Sequence, residues 1–107
     1  MEITTKMKDD LVQWMAVQEQ AMMNYDYNTG TDEFPITIHC LGYIAGVEAL
    51  HMFDIRPIMM ILGIPEEDAK LFVYDEKDGL EYRYRYSIKI GAVEYYSMCK
   101  QPWGEEV

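Results

Sequence analysis

Basic side chains are scarce in this chain: 9 Lys and Arg stand against 19 Asp and Glu over 107 residues, a formal charge of -10. A surface built to hold nucleic acid along its whole extent is normally basic, so this balance argues against one. Cysteine is nearly absent. Cys40 and Cys99 are too few for a disulfide scaffold, which points to a reducing, cytoplasmic setting. No run of about 18 apolar residues is present to cross a membrane, and no basic start leads into an apolar signal segment. Only two serines occur, Ser87 and Ser97, with no Gly-x-Ser-x-Gly elbow. The glycine patterns that cradle phosphates are missing too, which removes nucleotide hydrolysis and dinucleotide chemistry. No repeat and no low-complexity segment interrupts the chain.

What remains is a chain half apolar and 26% charged, a composition that folds rather than stays disordered. Its length suits a single domain over residues 1–107. Met7, Leu11, Trp14, Met15, Gln18 and Met22 share one face at 3.6 residues per turn, predicting a helix over about 6–23 with Thr4 or Thr5 as its N-cap. From Asn24 to Pro35 the turn-forming residues Asn, Asp, Gly and Pro dominate, predicting a loop. Residues 38–53 are apolar on almost every side and rich in Leu, Ala and Met, which predicts a second helix. Gly42 and Gly46 would share a face of that helix and admit a close neighbour. Asp54 is placed to cap a short helix over about 55–62, which Gly63 and Pro65 would end.

The last third changes period. Leu80 to Ile90 alternates strictly, with Leu, Tyr, Tyr, Tyr, Ile and Ile on one face. A two-residue turn at Gly91-Ala92 would pair that strand (about 80–90) with 93–100. Ile90 then meets Val93, Ile88 meets Tyr95, Tyr86 meets Ser97, Tyr84 meets Cys99, and Lys89 faces Glu94. Residues 70–75 either add a third strand or prolong a helical turn begun at Pro65. Helices first and an antiparallel meander after them predict the α+β class.

Candidate chemistry is sparse. His39, Cys40, His51 and Cys99 have no metal-ligand spacing. Asp26-x-Asn28-x-Gly30-x-Asp32 approaches a calcium loop. Counted from Asp26, however, the sixth position is Thr31 rather than glycine and the twelfth is Thr37 rather than glutamate. No cofactor and no enzymatic activity are expected. Charge carries more information. Residues 65–79 bear a net -4 and residues 80–100 a net +2. Glu66, Glu67, Asp68, Asp75, Glu76 and Asp78 are therefore the candidate contacts to a basic partner protein. Arg83 and Arg85, among interface-favoured tyrosines, are candidates for a separate anchoring face.

Small, acidic and free of catalytic motifs, the chain is similar in general character to phage- and mobile-element-encoded inhibitors, some anti-CRISPR proteins among them. That similarity implies docking on a basic, nucleic-acid-binding surface of a partner protein, with no direct nucleic-acid contact and no membrane. Two alternatives are a winged helix-turn-helix nucleic-acid binder built on 38–53 and 55–62, and a small homo-oligomeric ligand-binding protein.

Overall fold

Thr4 opens the first helix: its Oγ1 accepts the Met7 N–H at 3.1 Å, satisfying a donor that has no intrahelical partner. Helix α1 runs Thr5–Ala21 and buries Met7, Leu11, Met15 and Gln18 along one stripe. The computed structural model describes residues 2–21, 26–28 and 36–105. The expected last turn of α1 at Met22 and Met23, and most of the 24–35 loop, lie outside the described residues. Inside the expected loop Tyr27–Asn28 form strand β1, which pairs antiparallel with β2 (Thr37–Ile38) beyond it.

The helix expected over 38–53 is replaced by a hairpin. Strands β3 (Cys40–Ile44) and β4 (Ala49–Met52) pair antiparallel across a turn in which Gly46 lies at φ +96° and Glu48 at φ +50°. A right-handed helix has no place for either angle. The misreading has a physical cause. Strand β4 is internal to the sheet, and its Ala49, Leu50 and Met52 are all buried. A strand covered on both faces shows no polar alternation, so its sequence reads like a buried helix. Gly42 lies at a register shift in β3 and Gly46 in the turn, so neither serves helix packing. A helix-turn-helix built on 38–53 accordingly loses its first helix.

Asp54 Oδ1 accepts the Arg56 N–H at 2.9 Å as α2 (Arg56–Leu62) begins. Pro57 sits in the first turn, where its missing N–H costs nothing. The helix closes in a Schellman motif: Gly63 is left-handed (φ 73°), Ile64 N–H reaches Met59 O at 2.8 Å and Gly63 N–H reaches Met60 O at 3.3 Å. A 3-10 turn over Glu66–Asp68 follows, then strand β5 (Lys70–Val73), so 70–75 is strand rather than continued helix. A second 3-10 turn at Glu76–Asp78 and a left-handed Gly79 lengthen the connection to β6 (Tyr84–Ile90). The strand therefore starts at Tyr84 rather than Leu80, and Leu80 and Tyr82 are exposed. Strand β7 (Val93–Cys99) returns in the register that alternation predicts, Ile90 opposite Val93 through Tyr84 opposite Cys99. Gly91 lies at φ +63° and Ala92 is not left-handed, as a type II′ turn requires.

The five strands stand in the order β3-β4-β7-β6-β5, and β4 beside β7 is the parallel pair. The class is α+β. Leu50, Met52, Tyr86, Ile88, Val93 and Tyr95 form the sheet's contribution to the core, and Met7, Leu11, Met15, Ile58, Met59 and Ile61 close it from the helices. Trp103 stacks on Tyr86 (centroids 3.7 Å, 5° apart) and gives its backbone N–H to the tyrosine hydroxyl at 2.9 Å.

Candidate functional site

The six candidate acids fall into two groups that bracket one strand. Glu66, Glu67 and Asp68 form the 3-10 turn entering β5; Asp75, Glu76 and Asp78 form the turn leaving it. All six are exposed. Asp75 accepts the Lys77 N–H at 2.9 Å, and Glu76 lies 3.4 Å from Arg83. Glu66, Glu67, Asp68 and Asp78 have no side-chain partner among the described residues.

Arg83 and Arg85 are already engaged inside the molecule. Arg83 Nε donates to Tyr74 O at 3.0 Å, tying the far end of the β5–β6 connection to its start. Arg85 pairs with Glu94 at 2.6 Å and lies 4.0 Å from the Tyr96 ring centre. Glu94 also faces Lys89 in register, but its carboxylate goes to Arg85. His51, on the neighbouring strand β4, stacks on Tyr96 at 4.7 Å. Burial, with Arg85 nearby, holds the His51 pKa below its ordinary value. Strand β6 therefore presents less free positive charge than the residue count of 80–100 implies.

Between the acids, sequence reasoning overlooked the strand itself. Leu71, Phe72 and Val73 are each about half exposed (45%, 54% and 45%), and among the described residues β5 pairs only with β6. The signal is three consecutive apolar residues between two acidic turns, in a segment that the sequence leaves open between a third strand and a continued helical turn.

A cleft of about 440 Å³ is lined by Leu41, His51, Phe53, Asp54, Arg56 and Tyr82, among others. Arg56 grips both carboxylate oxygens of Asp54 at 2.9–3.1 Å, which neutralises the charge there.

The Cys40 and Asp26 pKa values are shifted by their immediate surroundings. Burial, reinforced by Asp26, pushes the Cys40 thiol up to about 12. A thiol held protonated at neutral pH is a poor nucleophile. The Cys40 N–H at 2.8 Å and His39 at 3.1 Å hold the Asp26 carboxyl below its usual range. Among the described residues no three His, Cys, Asp or Glu side chains gather to hold a metal ion. No helix among them is long and apolar enough to cross a membrane. In comparisons with known proteins, no family model, curated protein or solved structure matches this chain.

Proposed function

We propose that the chain is a protein-interaction module that docks on a basic surface of a partner protein through the acids on either side of β5. Four exposed carboxylates with no partner among the described residues carry this reading, because they meet an incoming cation without first breaking a bond of their own. On a partner that binds nucleic acid, they would occupy positions built for phosphates, making the module an inhibitor by occupancy. Complementary charge of this kind speeds association more than it deepens affinity.

The test is capture from a host lysate with wild type beside a triple reversal, Glu66→Lys with Glu67→Lys and Asp68→Lys. Basic proteins held by wild type, released by salt and missed by the reversal are the expected result. Equal capture by both chains, or capture indifferent to salt, would remove the acids from the function. A second reading, a small-ligand site, rests on the cleft beside Phe53, whose volume falls in the range of such sites. Heteronuclear shifts confined to Leu41, Phe53 and Tyr82 on screening a fragment library would favour it.

A further inference from the structure

We propose that β5 is a strand-addition site: an extended partner segment, apolar at its centre and carrying Lys or Arg at both ends, pairs along its free edge. The inference rests on the interaction-module reading and specifies its geometry.

The free edge follows from the ladder. Tyr74 N–H donates to Arg83 O at 2.8 Å, so these opposed residues form a hydrogen-bonded pair. Antiparallel pairs alternate between bonded and non-bonded. With Val73 opposite Tyr84, Phe72 opposite Arg85, Leu71 opposite Tyr86 and Lys70 opposite Ser87, the bonded positions continue through Phe72 and Lys70. Leu71 and Val73 therefore turn their N–H and C=O groups away from β6, toward the free edge. These groups lie within a four-residue strand whose apolar side chains are half exposed.

The two edges of the sheet differ. Edge strand β3 carries a register shift between Cys40 and Gly42, which interrupts a pairing template. Strand β5 keeps a regular register through all four residues, with Lys70 as its one charged side chain.

Charge selects the occupant. If two copies paired antiparallel through β5, Glu66, Glu67 and Asp68 of one would face Asp75, Glu76 and Asp78 of the other. A parallel pair would set each group beside its equal. Both arrangements oppose like charges, so the edge rejects its own copy at neutral pH and low salt. A segment with basic residues at each end meets carboxylates at both, while its apolar centre covers Leu71, Phe72 and Val73. Main-chain hydrogen bonds supply the pairing and the flanking charges supply selectivity.

The probe is a fluorescent peptide with a Val-Thr-Val-Thr-Val core between pairs of lysines, followed by anisotropy at low salt. Binding by wild type is expected, with the Leu71 and Val73 amides gaining protection from hydrogen exchange on peptide addition. Leu71→Pro removes an outward donor without breaking the ladder to β6 and should weaken binding by about tenfold or more. Leu71→Ala, which keeps the donor, should cost about threefold or less. Circular dichroism verifies folding of each variant, and the exchange data need no variant at all. Unchanged Leu71 and Val73 protection in the saturated complex would overturn strand addition, as would equal affinity of the proline and alanine variants when both are folded. The triple charge reversal separates the two readings: if it alone abolishes binding, docking is electrostatic and the edge is idle. A wild type that ignores the peptide overturns strand addition, and one that dimerises at low salt overturns the charge argument.

Discussion

Replacing Ser97 by alanine should make the protein more stable. Ser97 is fully buried on β7 opposite Tyr86, on the side of the sheet that faces the helices, and its hydroxyl has no hydrogen-bond partner among the described residues. In the unfolded chain water satisfies that hydroxyl, so folding bears its desolvation, about 1–3 kcal/mol for a buried unsatisfied group. Removing the oxygen leaves a gap smaller than a methyl group, which subtracts roughly 0.3 kcal/mol. The poorer strand preference of alanine takes away a few tenths more, on a scale that spans about 1 kcal/mol. The expected net gain is about 1 kcal/mol, or roughly 4–8 °C in Tm for a domain near this size. Urea titration followed by circular dichroism gives the free energy, and calorimetry gives the midpoint. A Ser97→Ala chain less stable than wild type would show that the hydroxyl is engaged, by an ordered water or a backbone carbonyl, and would refute the argument.

The pH dependence of stability should bear the mark of His51. Its pKa is lowered in the fold, so below about 6.5 the unfolded chain takes up a proton that the folded one resists, and stability falls as the pH drops. His51→Gln should flatten the fall below about pH 6.5; superimposable pH–stability curves would count against it. Gly63→Ala should cost about 1 kcal/mol in urea titration, because a side chain there meets no neighbour but must hold the left-handed conformation. Gly42→Ala, which meets no neighbour and has ordinary φ, should fall within about 0.5 kcal/mol of wild type. Trp103→Ala removes the ring stacked on Tyr86 and should destabilise by about 2 kcal/mol; a smaller loss than 0.5 would mean that the tail is not a packed part of the fold.

Helix α1 and the β6–β7 hairpin were legible in the sequence, and the β3–β4 hairpin was not. Helix α1 announced itself because Met7, Leu11 and Met15 meet the core while Lys8, Asp9 and Gln13 remain in solvent. The β6–β7 register was readable because a slip by one residue would have sent Tyr86 and Ile88 outward and Arg85 inward. Strand β4 offered no such contrast, since Ala49, Leu50 and Met52 are buried alike. The charges of the candidate surface were visible as composition. That they flank an open edge was not, because this depends on β5 being the outermost of five, and the order follows from β4 inserting beside β7.

The β4–β7 pair also bears on how the chain reaches its native state. Strands β5, β6 and β7 join neighbours in sequence, whereas Leu50 must find Tyr95 across nearly half the chain. Closing that loop costs chain entropy before the contact rewards it, so the seam is the slow, non-local step of folding. On contact order the C-terminal meander is expected to assemble first, and the β3–β4 hairpin to join an existing template. In such an order β5 is formed and open while the other half of the sheet is still searching.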